Sequence, residues 1–179
     1  GEYSQGKKEY EAQIKQQTQE LTDQLISELD QVDVKKDDME TGGEVIDSTV
    51  APEEIITKEE KQIITKELSE LEDERKQKAL QTLSVAYSKA LNEQKQKAFS
   101  MADELVAQAK ADWAAVGSGT DEDSALKRGT LITEYLAKSN VMEEQMDVSF
   151  NALIDKMEEQ LSNEGIDATD IISEYQEEY

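Results

Sequence analysis

The sequence predicts an all-α protein: an elongated helical bundle built around a long antiparallel hairpin, with one further helix before it. Two observations carry this expectation. Helix breakers are sparse, since Pro52 is the sole proline and the eight glycines fall at a few places; between them apolar residues recur at spacings of three and four, the period of one helical face. The chain is also poor in core-forming residues. Leu, Ile, Val and Phe make up about a fifth of it, 34% is charged, and the mean hydropathy is -0.75. So little apolar surface offsets the entropy of ordering only where each helix needs a single stripe, which favours an elongated bundle over a deep globular core. One elongated domain over 1–179 is expected.

The first helix is expected over 3–34. Tyr10, Ile14, Leu21, Leu25, Leu29 and Val32 share one face, but Thr18 and the polar run from Lys15 to Glu20 thin it in the middle. Packing through the C-terminal half alone is the simplest expectation. A long loop follows over 35–56, marked by Gly42, Gly43 and Pro52. Thr57-Lys58-Glu59-Glu60 reads as a capping box that opens a second helix, with Pro52 as an alternative first-turn residue. From there to Val116 nothing breaks a helix. Ile64, Leu68, Leu71, Leu80, Leu83, Tyr87, Leu91, Ala98, Met101, Leu105, Ala109, Trp113 and Val116 keep the helical period. A continuous helix over 57–116 is expected, about 85–90 Å long at 1.5 Å per residue; the alternative is a bend or tight turn at one of its two polar stretches, Glu72 to Lys78 or Asn92 to Lys97.

Gly117-Ser118-Gly119-Thr120 is the clearest turn. Gly117 suits the left-handed residue that closes a helix, and Thr120 is expected to cap the next, with Asp121, Glu122 and Asp123 at its positive end. Such a short connection makes its two helices antiparallel. The third helix, 121–162, carries Leu126, Ile132, Tyr135, Leu136, Met142, Met146, Phe150, Leu153, Ile154, Met157 and Leu161; Gly129 within it would allow close approach of the preceding helix. Gly165 ends it, and a short helix is expected over 167–179.

The chemistry is bounded mainly by what is missing. With no Cys and no His, disulfides, the usual zinc sites, thiol nucleophiles and imidazole acid–base catalysis are excluded. No residue pattern marks a catalytic carboxylate pair, and Asp33 to Gly42 fails the spacing of an EF-hand loop. No cofactor or metal is expected, and the chain is read as no enzyme. A net charge of -23, from 42 acidic against 19 basic residues, repels nucleic acid and anionic membrane surfaces and favours a basic protein partner. Oligomeric state is left open.

Three residues are candidates for an interaction site: Trp113, Met142 and Met146. A lone Trp suits a hot spot and a Met stripe suits an adaptable groove. The competing reading has Trp113 closing the end of the bundle and the methionines filling its core. The string Trp113-Ala114-Ala115-Val116-Gly117 at a helical turn resembles the secreted WXG helical-hairpin proteins over those few residues. Three residues separate Trp113 from Gly117, where that family has one, so no role is carried over.

The functional expectation is a non-enzymatic structural or interaction domain, extracytoplasmic in a bacterial protein that is anchored or secreted through a segment outside these residues; a cytoplasmic setting is the alternative. Two other readings stand beside it. One is a ligand-sensing or solute-binding bundle with a cavity lined by residues such as Tyr87, Tyr135 and Phe150. The other is an assembly scaffold or chaperone.

Overall fold

A computed structural model describes residues 2–34 and 57–179. Among them the chain forms four helices and no strand: α1 (Glu2–Asp30), α2 (Lys58–Val116), α3 (Glu122–Asn163) and α4 (Thr169–Glu178). α1, α2 and α3 pack on one another as an all-α bundle, and α2 is one unbroken helix of 59 residues. The loop expected over 35–56, with Gly42, Gly43 and Pro52, lies outside the described residues. α2 opens at the capping box, where the Glu60 amide donates to Thr57 Oγ1 at 3.2 Å.

Packing divides into two compact units, Gly1–Leu29 with Ser88–Lys156, and Asp30–Tyr87 with Met157–Tyr179. In the first unit, Ile14 of α1, Met101 of α2 and Met146 of α3 form a buried cluster, with Tyr10, Ala98 and Met142 against it. Farther along α1 the buried face continues through Thr18, Thr22, Leu25 and Leu29. Thr18 and Thr22 are 3% and 7% exposed, so the polar stretch of α1 packs as deeply as its leucines, contrary to the expectation of packing by the C-terminal half alone.

The reason is a buried polar layer shared by three helices. Gln94 Nε2 donates to Ser149 Oγ at 2.9 Å, and Ser149 Oγ lies 2.6 Å from Thr22 Oγ1. Thr22 Oγ1 donates to the Thr18 carbonyl at 2.7 Å. Its single proton is thereby committed, so the Ser149 hydroxyl must donate to Thr22. The chain of donors runs in one direction, from α2 through α3 to α1, and leaves no member of that relay unpaired. A buried hydroxyl without a partner costs about 1–3 kcal/mol; the relay spares Thr22 and Ser149 that cost, while Thr18 Oγ1 beside it is buried with no partner among the described residues.

The second unit is closed by a clamp on the end of α3. Gly165, at φ 72, ends the helix with the Ile166 amide on the Leu161 carbonyl at 2.9 Å and its own amide on the Ser162 carbonyl at 2.9 Å. This double closure needs a left-handed residue that only glycine adopts without strain. Arg75 of α2 donates to the Glu164 carboxylate at 2.8 Å, to the Glu164 carbonyl at 2.9 Å, and to Glu72. Beside it Tyr87 is fully buried, donates to Gln160 Oε1 at 3.0 Å, and meets the Tyr175 ring of α4 edge-on at 6.5 Å. Asp167 opens the chain into α4 by accepting from the Thr169 amide at 3.0 Å.

Several residues expected on the buried stripe are exposed instead: Ile64, Leu68 and Leu71 on α2, and Leu126, Ile132 and Leu136 on α3. Along the first 17 residues of α2, 58–74, every residue is exposed, so no described element covers that stretch. Gly129 has nothing within 4 Å of where a Cβ would stand. It lines an open groove on α3 with Ala125, Leu126 and Thr133 and makes no close helix approach.

The polar layer yields a prediction. Ser149→Ala strands both Gln94 and the Thr22 oxygen in a buried site, and should destabilise the protein by about 1–3 kcal/mol in urea unfolding. Replacing all three members together, with Thr22→Val, Gln94→Leu and Ser149→Ala, should recover most of that loss. Equal destabilisation by single and triple variants would show that the layer is held by shape rather than by pairing.

Candidate functional site

The sequence-derived candidates fall in different places. Met146 is buried and Met142 is partly buried, both in the cluster around Ile14 and Met101, where flexible thioethers fill an irregular gap. Trp113 lies outside that cluster and is 45% exposed. The structure does not bring the tryptophan and the methionines together. Of the residues considered for a ligand cavity, Tyr87 and Phe150 are buried and Tyr135 is partly exposed.

Trp113 stands one turn before the hairpin connection. Gly117 closes α2 at φ 82, as its position in the turn leads one to expect. The cap on α3 is different: Asp121, rather than Thr120, accepts from the Ser124 amide at 3.1 Å and from Ser124 Oγ at 2.7 Å. A carboxylate at this place satisfies an orphan amide and also meets the positive end of the helix, where a threonine offers only the first. A Cβ at Gly119 would stand 2.7 Å from the Asp121 carboxylate and 2.9 Å from Ser124 Oγ, so a larger residue there would push the two capping side chains aside. Arg128 then reaches back from α3 and donates to the carbonyls of Gly117 at 3.1 Å and Gly119 at 2.7 Å. The turn is thus tied from both sides.

Below the turn, α2 and α3 are joined by a hydrogen bond from Tyr135 to Asp112. Lys138 Nζ lies 4.8 Å above the Tyr135 ring and 5.5 Å above the Tyr10 ring of α1, and pairs with Glu134 at 3.1 Å. The cation stands between two ring faces, whose quadrupoles attract it, and its stem covers the apolar floor. Burial, and then the bond to Asp112, push the Tyr135 phenol above its ordinary range. Burial, and then the Glu104 charge, do the same for Tyr10. These groups stay neutral and structural across the physiological range.

Two exposed apolar surfaces remain, neither of which belongs to a buried core. One lies on the first part of α2, where Ile64, Leu68 and Leu71 stand at i, i+4 and i+7, and are 45%, 60% and 61% exposed. Glu60, Glu67 and Glu74 form one edge of that stripe and Lys61 and Glu72 the other. The second runs along the last part of α2, through Phe99, Val106 and Trp113. Sequence reasoning placed Ile64, Leu68, Leu71 and Trp113 in a single buried stripe and did not include Phe99 or Val106; a helical period alone does not show whether another element covers the face. Among the described residues no group of His, Cys, Asp or Glu could hold a metal ion, and no helix is long and apolar enough to cross a membrane. No family model matches the chain, and no curated protein or solved structure matches it either.

The cap at Asp121 sets a pH dependence. Its bonds from Ser124, side chain first and then backbone, hold its pKa below the ordinary aspartate value of 3.8. A depressed folded pKa gives stability that is present above pH 3.8 and is lost as pH falls through the lower folded value. An NMR titration of the Asp121 carboxyl should therefore have its midpoint below 3.8, and Ser124→Ala should move it upward. A midpoint unchanged by that substitution would remove the cap from the account.

Proposed function

We propose that this chain is a non-enzymatic interaction module that presents the first part of α2 to a partner protein. The observation that carries the reading is the exposed stripe of Ile64, Leu68 and Leu71 on a stretch of helix that no described element covers. Three large aliphatic side chains at i, i+4 and i+7 are the anchors by which an amphipathic helix seats in an apolar groove of another protein. Burying them removes apolar area from water at about 25 cal/mol per Å², a gain that no contact among the described residues realises there.

The chemistry of the partner follows from the edges of the stripe. Glu60, Glu67 and Glu74 line one edge and Lys61 and Glu72 the other, so the rim is acidic by four to one within a chain of net charge -23. A groove rimmed by lysines or arginines complements this pattern, and the long-range field speeds encounter with such a partner and repels acidic ones. The reading also places the module outside the cytoplasm, a setting that its cysteine-free composition suits. Fractionation of the native host tests that part, and recovery with the cytoplasmic proteins would overturn it.

The partner surface is tested with a photo-reactive phenylalanine analogue placed at Ile64 or, as an off-stripe control, at Lys66, in the native host. Cross-links to one basic protein from position 64 but not from 66 are expected. They should vanish when Leu68→Ser and Leu71→Ser are combined with the probe while helix content by circular dichroism is kept. Equal labelling from both positions, or adducts with acidic proteins, would sink the proposal.

A further inference from the structure

The second exposed surface has a periodicity of its own. Phe99, Val106 and Trp113 follow one another at steps of seven, and Ala102, Ala109 and Val116 stand three residues after each. This is a three-heptad seam of alternating three- and four-residue steps. At 100° per residue Phe99, Val106 and Trp113 are turned about 80–120° from the buried Leu105, and the smaller members Ala102, Ala109 and Val116 stand between them and it. Phe99, Val106 and Trp113 are 59%, 51% and 45% exposed, and the seam's remaining members are partly so.

Its direction can be fixed within the first unit. Asp112 marks the side of α2 turned to α3, through its bond from Tyr135. Glu104 marks the side turned to α1, since its charge acts on Tyr10. At 100° per residue, Val106 and Trp113 lie roughly 100–120° beyond Asp112, in the sense opposite to Glu104. On α3 the same count puts the exposed Ile132 and Leu136 on the side of Tyr135 away from Lys138, which stacks on α1. The face of the hairpin opposite α1 therefore carries Val106, Trp113, Ile132 and Leu136.

We infer that this seam takes a second copy of the chain, with the two α2 helices antiparallel. Three features of the seam select that occupant. A strict seven-residue repeat is the period on which two helices stay in register as they wind together. In the antiparallel register the sizes match, large against small: Phe99 faces the Val116 position of the second copy, Trp113 faces Ala102, and Val106 faces Ala109. The charges match as well. The flank of the seam away from α3 carries Asp103 and Lys110, and the same register sets Asp103 against the second copy's Lys110, twice by symmetry. Neither residue has an ion pair with another described residue. A parallel pairing would not bring these two together, because flanking positions of that kind meet only in antiparallel pairs. Each copy carries a net charge of -23, so the apolar seam and the crossed Asp103–Lys110 pairs act against a long-range repulsion that salt screens. The proposal uses other residues than the stripe at Ile64 and stands independently of it.

The test is the mass of the full chain by light scattering after size exclusion, over a concentration series at about 0.15 M salt, where charges beyond about 8 Å are screened. A concentration-dependent dimer is expected. Val106→Asp, at an exposed position that leaves the fold intact by circular dichroism, should weaken it by at least about tenfold. Asp103→Lys and Lys110→Asp should each weaken it, and the double exchange should restore it, since only the antiparallel register re-forms both pairs. A monomer throughout the series, or a dimer indifferent to Val106→Asp, overturns the proposal. A dimer that the double exchange fails to restore overturns the antiparallel register.

Discussion

The relay from Gln94 through Ser149 to Thr22 and the Thr18 carbonyl is the constraint on which the first unit depends. Apolar contacts between helices are nearly indifferent to small axial shifts, because one aliphatic replaces another at similar gain. A hydrogen-bonded layer is not indifferent. A shift of one turn would leave two or three buried groups unpaired at about 1–3 kcal/mol each. A helix as polar as α1, with few large aliphatics to fix it, would otherwise have several near-equal positions. The layer selects one, much as a single polar core position sets register in coiled coils.

The same logic distributes the charges. Among the described residues no acidic side chain is buried, and the buried polar groups are hydroxyls and one amide. Ionised groups that do constrain the fold work at its margins. Arg75 holds the end of α3 through Glu164, and Arg128 gathers the carbonyls of the hairpin turn. An arginine suits both places because its planar fork reaches two acceptors at once and keeps its charge at any accessible pH. The large negative charge of the chain is thereby left on surfaces, where it acts at a distance rather than in packing.

Much of the fold was legible because its signals are local. Gly117, Gly165 and the Thr57 capping box fix helix ends through backbone geometry that neighbouring residues determine, and the long breaker-free run made α2 continuous. The polar layer was not legible. Thr18 and Thr22 look like surface residues in a sequence, and only the tertiary partners Gln94 and Ser149 reveal that they are buried. The exposed stripes were misread for a related reason. A helical period shows that apolar residues share a face, but it does not say whether another element is present to cover it. Ile64, Leu68 and Leu71 have the same spacing as the buried Ala79 and Leu83 of the same helix. Trp113 was assigned to the face of Met101 and Leu105, although a seven-residue step from Phe99 carries it to a different one. The mismatch between seven residues and two turns of 3.6 decides which.

The opening segment of α2 differs from every other helical stretch in what keeps it helical. Among the described residues no element buries 58–74, and an isolated peptide of that length is marginal in water. Its helicity is inherited from the packed turns that follow, which supply the nucleus, so that each upstream residue needs only the small increment of propagation. The free energy to unwind it is correspondingly low and falls toward Lys58. Its amides should therefore be the fastest to exchange with solvent in α2, by openings that leave the packed units intact. A groove that captures Ile64, Leu68 and Leu71 would do more than hide apolar surface: it would convert the least protected turns of α2 into some of its most protected.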